Sequence, residues 1–197
     1  SRLDTEMAQL REQALAAQTR VIFTAPHIPG ESGKANAYVD IIETMLAEGI
    51  DITGLALPRS FGFLSGLKTN IMFMSTAWEE LISLDVDSRL AAIQDADTRA
   101  KLIQEASEMG SSGDGSPSLD AWVSNFYWLG DGETPEYTKG ADESLPAIAE
   151  ANGEHPAETW LRIMLESNGE ALFHVRFGNH DYDAMEEFLK SDWVLPS

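Results

Sequence analysis

The chain has 197 residues, 43% of them apolar, enough for a full hydrophobic core, and it has no cysteine, which excludes disulfides, thiolate ligands and a cysteine nucleophile from this stretch. Thirteen basic residues against 33 acidic ones give a formal charge of −20, a surface that repels a phosphate backbone or an anionic leaflet and so excludes nucleic acid and membrane as expected partners. An acidic surface of this kind mainly confers solubility. No apolar run approaches the roughly 20 residues of a membrane span and no signal peptide is visible, so the expected location is cytoplasmic.

Leu3, Met7, Leu10, Ala14 and Leu15 recur at helical spacing and predict a first helix over Asp4 to Thr19. Val21 to Ala25 reads as a strand. A loop containing Pro26, Pro29, Gly30 and Gly33 leads to an amphipathic helix with Tyr38, Ile41, Ile42, Met45 and Leu46 on one face and Gly49 as its stop, and Asp51 to Leu57 reads as the next strand. Two short apolar strands joined by one helix form a parallel βαβ unit, because a parallel return needs a crossover. In such units the carboxyl ends of the strands carry the chemistry. Here those ends are Ala25-Pro26-His27 and Leu57-Pro58-Arg59.

From Arg59 to Thr76 the chain is rich in Gly, Ser, Phe and Met without a clean period and reads as a long loop. Short helices follow over Ala77 to Leu84, Asp87 to Ala92 and Ala96 to Met109, then a low-complexity linker from Gly110 to Ser118. Trp122 to Leu129, aromatic and β-branched, predicts a strand. Ser144 to Gly153 and His155-Pro156 to Gly169 are punctuated as helices. Ala171 to Phe177 alternates as a strand, with Leu172, His174 and Arg176 on one face. Asp181 caps a helix carrying Met185, Phe188 and Leu189, and Trp193-Val194-Leu195 opens a final strand. The fold class is therefore α/β with long loops and short helices. The four or five strands counted are too few for a closed (β/α)8 barrel, which needs eight strands and about 250 residues.

The residues alone do not complete a catalytic constellation. There is no His-x-His pair, no His-Glu-x-x-His helix and no Gly-x-Ser-x-Gly elbow. Gly30-Glu31-Ser32-Gly33-Lys34 ends like a phosphate-binding loop but lacks its first glycine and its Ser or Thr. Of the four histidines, His27 stands just past a strand end where a metal ligand or a hydrogen-bonded loop residue would sit. His155 precedes Pro156 as a helix-start residue, His174 shares a strand face with Arg176, and His180 lies in a loop. Arg59 stands at a strand end where it would hold a substrate carboxylate bidentately or pair with one of the many surface carboxylates.

Leu57-Pro58-Arg59-Ser60-Phe61-Gly62-Phe63-Leu64-Ser65-Gly66-Leu67 resembles the strand end and aromatic-glycine loop of one branch of the amidohydrolase superfamily, the N-acyl-D-amino-acid deacylases (D-aminoacylases). The resemblance continues through Trp78-Glu79-Glu80-Leu81, Arg89-Leu90-Ala91-Ala92 and Asp97-Thr98-Arg99-Ala100-Lys101-Leu102. It extends to Pro135-Glu136-Tyr137, Ser144-Leu145-Pro146-Ala147-Ile148-Ala149, His155-Pro156-Ala157-Glu158 and Gly178-Asn179-His180-Asp181.

The resemblance implies a hydrolase that removes the acyl group from an N-acyl amino acid on a metal-bearing (β/α)8 barrel. Zinc or another divalent metal in the full-length enzyme would polarise the amide and activate water. It also implies that residues 1–197 are a single central fragment of that barrel, starting after the family's first metal ligands and stopping short of its last. Such a fragment is expected to bind no metal and to be inactive by itself. Where relatives carry a metal-binding histidine at the end of the first strand this chain has Ala25, with His27 two residues later, and a Tyr-Pro-Tyr of the family is Leu57-Pro58-Arg59. Only Arg59, as a substrate contact, and His27, as a metal ligand, carry over.

Two other readings compete: a non-catalytic binding or scaffolding module with a borrowed α/β fold, and a different hydrolase with its site in the Arg59 to Asn70 loop. A partial barrel leaves strand edges and an apolar face uncovered, so the fragment is expected to self-associate.

Overall fold

The computed structural model describes residues 2–27, 38–109, 119–130, 134–179 and 181–197. In chain order the elements are α1 (Arg2–Ala17), β1 (Val21–Thr24), α2 (Val39–Ala47), β2 (Ile52–Ala56), β3 (Phe61–Ser65), α3 (Thr76–Ser83), α4 (Val86–Gln94) and α5 (Ala96–Ser107). They continue with α6 (Leu119–Val123), β4 (Phe126–Trp128), a 3₁₀ turn (Ala141–Glu143), α7 (Leu145–Asn152), α8 (Pro156–Glu166), β5 (Phe173–Gly178), α9 (Tyr182–Leu189) and β6 (Val194–Pro196). The fold is mixed α/β with small sheets and, among the described residues, no closed barrel. No helix among those residues is long and apolar enough to cross a membrane. The chain forms two compact units, residues 1–61 with 177–197, and residues 62–176.

In the first unit β1, β2 and β6 form a parallel sheet in the order β1-β2-β6, with Val21 opposite Ile52 and Gly54 opposite Val194. The parallel return expected from the crossover helix is present, with α2 between β1 and β2. Ile42 and Met45 of α2 are buried together with Met7 and Ala14 of α1, Met185 and Phe188 of α9, and Ile52, Ala56 and Val194 of the sheet. Gly54 lets Trp193 lie against the middle strand: a Cβ on Gly54 would stand 3.2 Å from the indole ring. Trp193 in turn meets Phe188 edge to face at 5.3 Å. Because side chains alternate along a strand, Ile22 and Leu195 point to the opposite face, where they are 55% and 50% exposed. The helices thus cover one face of the sheet, and the other keeps apolar side chains in contact with solvent.

The second unit is built around aromatic rings. Phe73 stacks on Trp78 at 4.3 Å, and Trp160 stands edge-on to both at 5.6 Å. Helix starts are capped by Ser75, Asp85, Asp95 and Ser144, each accepting a backbone N–H from the first turn of its helix. His155 caps α8 through Nδ1, which accepts the Ala157 N–H at 3.3 Å, so its role is that of the helix-start residue read from the sequence. Arginines pin helix ends to the core without carboxylates: Arg89 donates to the carbonyls of Ile82, Leu84 and Leu67, and Arg99 to those of Ile93 and Gln94. A second sheet runs in the order β3-β5-β4, with β4 and β5 antiparallel and Tyr127 opposite His174.

Two stretches differ from the sequence reading. The segment read as one long loop from Arg59 to Thr76 contains β3. Its pairing with β5 depends on Gly62, since a Cβ there would lie 1.9 Å from the Val175 carbonyl oxygen, and a glycine that reads locally as a loop former is here what lets two backbones approach. The stretch read as a strand from Trp122 to Leu129 divides into α6 and the three-residue β4. Val123 is buried and the Trp122 indole donates to the Met72 carbonyl, so tertiary contacts override the aromatic and β-branched propensity. The linker at 110–118 lies outside the described residues.

Candidate functional site at the carboxyl ends of the parallel strands

Along β1 the backbone donates to β2 at a constant offset: Val21 N–H to Asp51 O and Ala25 N–H to Leu55 O, each at 2.9 Å. Pro26 and Pro58 then supply no N–H, and regular pairing stops. His27 follows Pro26 and is buried, 9% exposed. Its backbone N–H donates to Asn179 Oδ1 at 2.7 Å, and Asn179 Nδ2 donates to the Leu57 carbonyl at 2.8 Å. Asn179 is 1% exposed and holds a left-handed backbone, φ +56°, a conformation that asparagine tolerates better than most residues. The two strand ends singled out in the sequence, those of His27 and Arg59, are therefore tied to one buried amide.

Arg59 is exposed. Its Nη1 lies 3.5 Å from the Ser60 carbonyl, at the limit of a hydrogen bond, and it forms no ion pair with a carboxylate among the described residues. Next along the chain, Phe61 meets Phe177 at 6.3 Å in a tilted pair. Gly178 makes room for it, since a Cβ there would come within 2.6 Å of the Phe61 ring. An exposed guanidinium, a buried histidine and an aromatic pair thus belong to the residues at and just beyond the strand ends, a composition suited to a carboxylate with an apolar substituent.

Around His27 the described residues gather no set of three or more His, Cys, Asp or Glu side chains able to hold a metal ion. On that test the described residues do not fit the divalent metal that the resemblance implies. His180 lies outside the described residues.

His174 sits in the second unit. Its Nδ1 is buried without a hydrogen-bond partner among the described residues, and Tyr137 stands edge-on to the ring at 5.7 Å. Burial, and secondarily the Arg176 charge, hold its pKa below the usual imidazole range. The neighbouring cations are occupied: Arg176 stacks over Tyr127 at 3.6 Å and donates to the Lys139 carbonyl, while Lys139 pairs with Glu136 and Glu143. Both cations of this face are thus held by contacts within the unit. A groove of about 370 Å³ between α1 and α2, floored by Met7 and Met45 and crossed by the Arg11–Glu48 pair at 2.6 Å, lies along the helices and away from the strand ends.

No family model, curated protein or solved structure matches the chain. The fold itself defines a class, a mixed α/β chain with a small parallel sheet whose strand ends carry the polar residues. Asn179 is the member of this site that the sequence reading left unassigned. Its only signal there was its place in the Gly178-Asn179-His180-Asp181 run, because its role depends on two strand ends far away in sequence.

Proposed function

We propose that this chain is the central part of a metal-dependent amidohydrolase that hydrolyses the amide of N-acyl amino acids, of the N-acyl-D-amino-acid deacylase kind, and that it forms part of a (β/α)8 barrel. The observation that carries the reading is the parallel β1-α2-β2 unit whose adjoining strand ends present His27 and Arg59. The sheet face on which Ile22 and Leu195 of the outer strands are half exposed supports it too, since parallel sheets are ordinarily covered on both faces and a barrel interior is lined by such side chains. Arg59 is the substrate contact: its planar fork of donors matches a carboxylate bidentately, and no carboxylate of the described chain competes for it. Because the described residues do not assemble a metal site, no step is drawn through a metal, and the chain's own contribution is to bind and orient the substrate's carboxylate end.

The test is a titration of the chain with N-acetyl-D-leucine and with its carboxamide, followed by NMR. Shifts centred on Arg59 are expected for the acid and not for the amide, and Arg59→Ala should weaken binding about tenfold, the worth of one charge-assisted contact. Equal binding of acid and amide, or an unchanged affinity in Arg59→Ala, would remove the reading.

A further inference from the structure

The hydrogen bonds at the ends of β1 and β2 follow a pattern that Asn179 interrupts. Val21 and Ala25 donate to Asp51 and Leu55, and at the same offset the next rung would run from His27 N–H to the Leu57 carbonyl. Both groups are used, but not with each other. The Asn179 side chain stands between them, its Oδ1 accepting from His27 at 2.7 Å and its Nδ2 donating to Leu57 at 2.8 Å. Two hydrogen bonds and the breadth of an amide occupy the place of one rung, so the strand ends diverge where the ladder would have held them together.

Neither backbone group is left unsatisfied, which matters because both lie against a residue that is 1% exposed. The substitution is specific to an amide. A carboxylate cannot donate to Leu57, and a hydroxyl is too short to bridge both groups. The left-handed backbone at Asn179, following Gly178, aims the side chain into the gap. Ligands of open α/β sheets bind in the crevice outside the carboxyl ends of the strands, where neighbouring strands part. In most such sheets the parting comes from strand order, whereas here β1 and β2 are neighbours and a side chain parts them.

We infer that Asn179 is a positioning residue, an amide wedge that holds the ends of β1 and β2 apart and thereby fixes the places of His27 and Arg59. Only the ligand arm of its test rests on the N-acyl amino acid reading.

The experiment uses the whole chain labelled with ¹⁵N and ¹³C, and the variant Asn179→Gly, which keeps access to a positive φ and removes the amide. In the unmodified chain the His27 amide should show a through-hydrogen-bond coupling to the Asn179 side-chain carbonyl carbon. In Asn179→Gly that coupling should pass to the Leu57 carbonyl as the ends close, and the affinity for N-acetyl-D-leucine should fall about tenfold or more, since misplacing a binding group by a fraction of its own length is costly. Absence of the first coupling, strand ends that stay open in the variant, or closed ends with unchanged affinity would each overturn the inference. If the unmodified chain binds no N-acetyl-D-leucine, the proposed function fails and the wedge is judged on the couplings alone. Should Asn179→Gly not fold, Asn179→Asp keeps the acceptor for His27 and loses the donor to Leu57. Loss of the Leu57 contact with weakened binding then supports the wedge, and unchanged binding overturns it.

Discussion

In residues 62–176 a stacked Phe73–Trp78 pair lies under Trp160, helix starts carry side-chain caps, and Arg89 and Arg99 reach backbone carbonyls. In residues 1–61 with 177–197 three parallel strands bury one face under helices, expose Ile22 and Leu195 on the other, and end at a polar wedge. The first arrangement places its stabilisation in a large aromatic core within the unit. The second leaves apolar surface and strand ends available for something else. The proposed function puts binding at the strand ends of the second arrangement, while the largest buried aromatic cluster lies in the first, so substitutions should separate stability from binding.

The largest effect is expected at Trp160, which is fully buried and touches both Phe73 and Trp78. Trp160→Ala should cost about 3–5 kcal/mol in urea denaturation, the range for emptying an aromatic site in a packed core. Trp160→Phe should cost much less, because it keeps an edge-on ring and removes an indole N–H that has no protein partner. If the two variants were equally destabilised, the aromatic cluster would not be what closes this unit.

How far each unit could be read from the sequence follows the same division. Helices bounded by chemistry within a few residues were legible: Ser144 to Gly153, His155-Pro156 to α8, and Asp181 before α9 all fall where their caps place them. The parallel β1-α2-β2 unit was legible as well, because an apolar strand, an amphipathic helix and a second apolar strand leave few other topologies. β3 was not, since Phe61-Gly62-Phe63-Leu64-Ser65 has loop composition and becomes a strand only through close approach to β5. The places of His27 and Arg59 just past strand ends were legible from the strands alone. The role of Asn179 was not, because it is a relation among positions 27, 57 and 179 that no local pattern carries.

A smaller effect is expected from pH on the second unit. Burial and the Arg176 charge hold the His174 pKa below the usual 6.5, so the folded state binds this proton more weakly than the unfolded chain does. The contribution is flat above about pH 6.5 and stability falls as pH drops below it, until the lowered folded value is passed. In urea denaturation series from pH 8 to 5, His174→Gln should lose stability less steeply on the acid side than the unmodified chain. Parallel curves would mean that His174 is solvated much as in the unfolded state, and the burial of its ring would not be what lowers its pKa.

The smallest effect on stability is expected where the effect on association should be greatest. Ile22 and Leu195 are about half exposed and give up little buried area on replacement, so Ile22→Thr and Leu195→Thr should each change the unfolding free energy by less than about 0.5 kcal/mol. The same side chains form the uncovered apolar face of a parallel sheet whose outer strands among the described residues are β1 and β6. A face and two edges of this kind favour pairing with another chain even against the repulsion of a −20 charge, and added salt should strengthen that pairing by screening the charge. Light scattering at micromolar concentration should therefore show the unmodified chain associating, more so in high salt, and the double threonine variant remaining monomeric with an unchanged melting curve. A monodisperse monomer in both would show that the exposed face is tolerated by itself, and the expected self-association would be abandoned.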